Sequence, residues 1–127
     1  MEAPRAFPER SLLIADDAYF IRHMIKRHVQ DLRFGDIYEA ENGVELLQQF
    51  ALYHPDLVFM DIIMEQMNGL IALDRLLEKN PHARVIVVSA VDIPDLIREC
   101  VHMGAFEFIV KPFTQEKIIE AACNALS

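Results

Sequence analysis

The chain has 127 residues, 53% hydrophobic and 25% charged, a length that fits one domain and a composition that fills a core and excludes disorder or collagen-like structure. With 12 Lys and Arg against 20 Asp and Glu, its net charge is −8, a poor match for phosphate backbones or anionic lipid, so direct nucleic-acid binding and membrane attachment are excluded as expectations.

Residues 1–10 mix charge and Pro, do not read as a secretory signal, and are expected to form an N-terminal extension to a domain over 11–127. The run Leu12-Leu13-Ile14-Ala15 predicts a strand that ends at Asp16-Asp17. Ile21, Met24, Ile25, Val29 and Leu32 then fall on one face of a helix. A weaker strand is expected over Asp36 to Ala40, and Asn42 and Glu45 fit a cap for a helix over Gly43 to Tyr53. Leu57-Val58-Phe59-Met60 is a second strong strand, ending at Asp61. Leu70, Leu73, Leu76 and Leu77 predict a helix that stops before Pro81. Val85 to Val88 is a strand ending at Ser89, and Asp92, Pro94 and Asp95 open a helix that Gly104 closes. Phe106 to Val110 predicts the last strand, ending at Lys111-Pro112, and Thr114 caps a final helix through Leu126. With only Ser127 after the last helix, no output domain is expected within this chain, and no repeat or linker interrupts the pattern. Cys100 and Cys123 sit within helical patterns as small core residues, not a disulfide framework or zinc knuckle, which suggests a reducing, cytoplasmic setting.

Strands without alternation are buried on both faces, so the alternation of strands and helices predicts a doubly wound α/β sandwich with a parallel sheet. Function in such sheets gathers at the carboxyl ends of the strands. There stand Asp16-Asp17, Asp61, Ser89 and Lys111, far apart in sequence and joined only by the fold. Converging carboxylates repel one another and are tolerated around a cation, and oxygen-only ligands suit Mg2+. No Cys or His spacing suits zinc and no Gly-rich phosphate loop is present, so no nucleotide cofactor is expected. A cation, a carboxylate, a hydroxyl and a Lys together suit a phosphoryl group, with Asp61 as the best acceptor because it stands alone after the most apolar strand.

The chain resembles the receiver domains of two-component response regulators, of the chemotaxis-regulator type. The matching pieces are Leu13-Ile14-Ala15-Asp16-Asp17, Phe59-Met60-Asp61-Ile62-Ile63-Met64, Met67-Asn68-Gly69-Leu70, Val87-Val88-Ser89-Ala90, and Gly104-Ala105 through Lys111-Pro112-Phe113. The resemblance implies a (βα)5 flavodoxin-like sandwich with strand order 2-1-3-4-5. It implies that Asp61 accepts phosphate from a histidine kinase or histidine phosphotransfer protein. It further implies that Asp17, Asp61 and the backbone carbonyl of Ile63 bind Mg2+, with Asp16 acting through water. Ser89 and Lys111 then meet the phosphoryl oxygens, Phe108 is the aromatic whose rotamer follows Ser89, and the Lys111-Pro112 bond is cis. The implied downstream partner, whether a separate protein or an output domain, reads the face made by the fourth helix, fifth strand and last helix, which is also a candidate homodimer face.

Two departures stand out. The family usually has Pro four residues after the acceptor, where this chain has Glu65. Ile63 and Val91 flank the expected path of the hydrolytic water with apolar groups that cannot orient it. A Mg2+-dependent aspartyl-phosphate hydrolase is the rival from another class, opposed by the adjacent acidic pair, the nucleophile on a later strand and the lack of a cap domain. A receiver-like module that is never phosphorylated is opposed by the intact set of site residues. Arg22, His23, Lys26, Arg27 and His28 give the first helix a basic face, read first as solvated and second as a docking surface for an acidic partner. Met64 and Met67 are weaker candidates for a partner-binding patch.

Overall fold

Unbroken runs of Leu, Ile and Val commit the centre of the chain to strands covered on both faces. In the computed structural model, which describes residues 6–127, the strands are β1 (Ser11–Ala15), β3 (Leu57–Met60) and β4 (Val85–Ser89) at the centre, with the more mixed β2 (Asp36–Ala40) and β5 (Glu107–Val110) at the edges. Residues 1–5 of the expected extension lie outside the described residues. All four pairings are parallel, in the order β2-β1-β3-β4-β5. The crossovers are α1 (Tyr19–His28), α2 (Gly43–Tyr53), α3 (Gly69–Lys79) and α4 (Pro94–Met103), followed by α5 (Gln115–Ala125). This is the doubly wound sandwich that the alternating pattern predicts.

The period of two along each strand divides the core. Leu13, Val58, Met60, Val85 and Val87 face α2, α3 and α4, with Leu46, Leu73, Leu76 and Cys100 among their partners. Leu12, Ile14, Phe59, Ile86 and Val88 face α1 and α5, packing with Ile25, Val29, Ile118 and Ala122. Local caps fix where the helices begin. Asn42 Oδ1 accepts from the Glu45 N–H at 2.8 Å, and Thr114 Oγ1 accepts from the Lys117 N–H at 3.1 Å. Gly104, with φ of 118°, closes α4 in a left-handed conformation that suits glycine.

Several boundaries differ from the sequence pattern, the last helix ending at Ala125 with Leu126 as its cap among them. Ser11 joins β1, where its N–H donates to the Asp56 carboxylate at 2.8 Å. The first helix ends at His28, and Gln30–Leu32 form a separate turn of 3-10 helix. That tightened turn keeps Val29 and Leu32 buried while the left-handed Arg33 (φ 52°) redirects the chain. Phe106 precedes β5 as an exposed residue, although its N–H still donates to Val85 O at 2.7 Å. Among the described residues no helix is long and apolar enough to cross a membrane.

Candidate functional site

Each strand delivers its terminal residue to the same edge because the sheet is parallel and in register. The Asp16 N–H donates to Ala40 O and the Asp61 N–H to Ala15 O, both at 3.0 Å, and the Lys111 N–H donates to Ser89 O at 2.8 Å. The backbone ladder therefore continues past the strands and sets Asp16, Asp61, Ser89 and Lys111 side by side.

Their side chains complete the site. Lys111 Nζ donates to Asp16 Oδ2 at 2.8 Å and to Asp61 Oδ2 at 2.9 Å, with the two carboxylates only 3% and 7% exposed. Their other oxygens face backbone: Asp16 Oδ1 accepts from the Ala18 N–H at 2.9 Å and Asp61 Oδ1 from the Ile63 N–H at 3.0 Å. Burial pushes the Asp16 carboxyl above its ordinary range; the hydrogen bonds from Lys111 and Ala18 pull the other way without cancelling it. Burial also opposes the Lys111 charge, but the hydrogen bonds it donates to Asp16 and Asp61 outweigh it and raise the ammonium pKa. Ser89 is fully buried, its Oγ accepting from the Val91 N–H at 3.4 Å. The Lys111-Pro112 peptide is cis.

The loop after Asp61 is held at both ends. Asn68 Oδ1 caps α3 through the Leu70 N–H at 2.8 Å, and the Gly69 N–H donates to Ile62 O at 3.0 Å. A Cβ on Gly69 would stand 2.2 Å from the Ile62 Cα, so only glycine lets α3 start this close to the strand end. Between these points Gln66 and Met67 both take positive φ, 55° and 123°. Glu65, in the place of the family's usual Pro, is exposed on this loop.

Not every candidate joins the cluster. Asp17 is exposed, beside the buried Asp16. Among the described residues no three His, Cys, Asp or Glu side chains gather closely enough to hold a metal ion. The expected convergence of three carboxylates is therefore a pair, Asp16 and Asp61, with Lys111 between them, and Asp17 at the rim. The Ile63 side chain is 56% exposed, Val91 is half-buried, and Phe108 packs half-buried against the α2–α3–α4 side of the core. The sequence reading of Arg22 as part of a solvated basic face does not hold. Arg22 is 6% exposed, with Nη1 donating to Asp16 O at 2.7 Å and Nε to Glu39 Oε1 at 3.0 Å. The helical spacing of Arg22 with the buried Ile25 and Val29 carries the signal for that burial.

Residues 12–123 match the family model of the response regulator receiver domain. The chain belongs to this family. It is 44% identical over 110 residues to the chemotaxis protein CheY of Listeria monocytogenes, covering 87% of this chain and 92% of the relative. The CheY of Bacillus subtilis is 38% identical over 116 residues, covering 91% and 97%. Among solved structures, a CheX–CheY–BeF3–Mg2+ complex from Borrelia burgdorferi superposes with a TM-score of 0.89 at 29% identity, over 93% of this chain and 90% of that one. As a receiver domain of CheY type, the protein is a signalling switch, not a conventional enzyme.

Proposed function

We propose that the domain switches by accepting a phosphoryl group on Asp61 from a phosphohistidine of a histidine kinase or phosphotransfer protein. The observation that carries this reading is the nearly buried Asp61 carboxylate held 2.9 Å from Lys111 Nζ at the carboxyl end of β3. An Asp61 oxygen attacks phosphorus, the new O–P bond forms as the donor's P–N bond breaks, and the electron pair leaves with the imidazole. Lys111 is placed to pair with the phosphoryl oxygens, and its ammonium is already fixed, so little reorganisation accompanies charge development. Ser89 then turns its hydroxyl toward the new group and Phe108 turns inward, which reshapes the face formed by α4, β5 and α5 for a downstream partner or a second copy.

The donor set fits a hard cation. Two buried carboxylates share a single ammonium, which leaves surplus negative charge, every donor is oxygen, and the exposed Asp17 stands at the open side. Asp17, Asp61 and the carbonyl of Ile63 would hold Mg2+, with Asp16 through water; the ion would neutralise and orient the phosphoryl oxygens. Phe20, Ile21, Met24, Pro112 and Phe113 line an apolar groove beside Lys111, a docking surface for the donor next to the acceptor. The free Cys100 and Cys123 suit a reducing cytoplasm. Incubation with acetyl phosphate and Mg2+ tests the reading: intact mass should rise by about 80 Da, one phosphoryl group. The Asp61→Asn variant should show no adduct, and a full adduct there refutes the assignment.

A further inference from the structure

Arg22 does work for the acidic loop that an ordinary salt bridge does not require. Its guanidinium is buried and reaches two elements at once. Nε donates to Glu39 on β2, while Nη1 donates at 2.7 Å to the main-chain carbonyl of Asp16. That carbonyl belongs to the peptide whose nitrogen is Asp17's, so the bond fixes the plane from which the Asp17 side chain departs. Lys26 holds the second oxygen of Glu39 at 3.2 Å, and Glu41 lies 3.7 Å from Nη2. The Tyr19 ring lies 5.6 Å from the guanidinium carbon, covering the group on the side of the α1 start. The peptide joining the two acids is thus tied through Arg22 to the edge strand, and through the Asp16 side chain to Lys111.

We propose that Arg22 is a positioning residue, which presets the Asp16-Asp17 peptide so that Asp17 meets a cation without reorganising the loop. The inference rests on the reading of Asp17 and Asp61 as cation ligands. A fork is needed for this task. Guanidinium can bond a carboxylate and a carbonyl in fixed relative directions, whereas an ammonium at the same place satisfies one of them and swings. Outer groups that orient a ligand commonly change affinity by about 10- to 100-fold when removed, with no contact to the metal themselves.

The test is a calorimetric titration of the whole domain with Mg2+ alone, after circular dichroism has established folding. Arg22→Gln and Arg22→Lys should each bind roughly tenfold more weakly than wild type. Lys26→Met, which also loses a contact to Glu39 but none to the Asp16 carbonyl, should bind as wild type does. Glu39→Gln leaves the carbonyl bond in place and should fall between, which keeps the test available if Arg22→Gln does not fold. Folded Arg22 variants with wild-type affinity overturn the inference, as does an equal loss in Lys26→Met, because that would assign the effect to general charge. Wild-type protein that takes up no Mg2+ overturns the cation reading and this inference together, so the two failures are distinguishable.

Discussion

Two charged clusters flank the end of β1, and they are built inversely. On the β3 side one ammonium, Lys111, is shared by two carboxylates, Asp16 and Asp61. On the β2 side one carboxylate, Glu39, is shared by two cations, Arg22 and Lys26. Burial works against the charge in both, and the balance of partners decides the outcome. Burial leaves the Asp16 carboxyl raised, despite the bonds from Lys111 and Ala18. At Glu39 burial raises the pKa, but the hydrogen bonds from Arg22 and Lys26 prevail and hold it low. The first cluster keeps two carboxylates on one ammonium; in the second, Glu41 at 3.7 Å from Arg22 Nη2 adds a further carboxylate, so two cations meet two anions. Asp16 belongs to both, through its side chain and its carbonyl.

Removing the shared partner of the first cluster should have the largest effect. Lys111→Met leaves two buried carboxylates facing each other and takes away the fixed positive charge, so phosphorylation by acetyl phosphate should slow roughly 100-fold. Intact-mass kinetics at fixed Mg2+ measures it, and a rate near wild type would break the contrast between the clusters. Removing the shared partner of the second should act on stability instead. Glu39→Gln should lose about 1–3 kcal/mol in urea unfolding, because Arg22 keeps its burial and loses the nearer of its two anions, leaving the more exposed Glu41.

The contrast sharpens with pH. The native Asp16 carboxyl titrates above its ordinary 3.8, so its contribution to stability is full below that value and is lost as pH rises through the folded value. Glu39 titrates below its ordinary 4.5, so its contribution is present above that value and is lost as pH falls through the folded one. Asp16→Asn should therefore stabilise the metal-free domain at neutral pH, by roughly 0.5–2 kcal/mol as functional residues often allow, and should remove the decline on the alkaline side of 3.8. Glu39→Gln should instead flatten the acid limb. Denaturation at several pH values tests both slopes. The smallest effect concerns the mouth of the first cluster. Ile63→Asn with Val91→Glu should shorten the phosphoryl lifetime several-fold, short of the roughly 100-fold that a full general base gives. Equal decay in Mg2+ would remove water orientation as the reason for a long-lived phosphate.

The first cluster was legible in the sequence and the second only in part, and the reason is physical. Asp61, Ser89 and Lys111 each follow an apolar run, so a parallel sheet alone predicts that they meet. Arg22 and Glu39 lie within charged and mixed stretches, where composition favours solvent. The spacing of Arg22 with Ile25 and Val29 places it on the buried side of α1, but the pattern Ile21, Met24, Ile25 does not say which carboxylate on β2 it meets. The 3-10 turn after His28 and the left-handed pair Gln66 and Met67 were likewise unreadable, since tertiary packing sets them and no local propensity does. Asp17 was foreseen beside Asp16 at the strand end, and it stands exposed there next to its buried neighbour.

The approach of Gly69 to Ile62 bears on how this chain can drift over generations. The loop after Asp61 leaves Ile62 and must come back to it, because the Gly69 N–H returns to the Ile62 carbonyl at 3.0 Å. Its two abutments are thus the same few atoms of backbone. Such a span is locked in length but loose in identity. Glu65 projects from it into solvent and is open to exchange, Gln66 is exposed but held at φ 55°, and an added or lost residue would lift α3 off the strand end. The lineage of this domain can retune charge beside Asp61 by substitution at Glu65, and the ruler that sets the distance stays fixed.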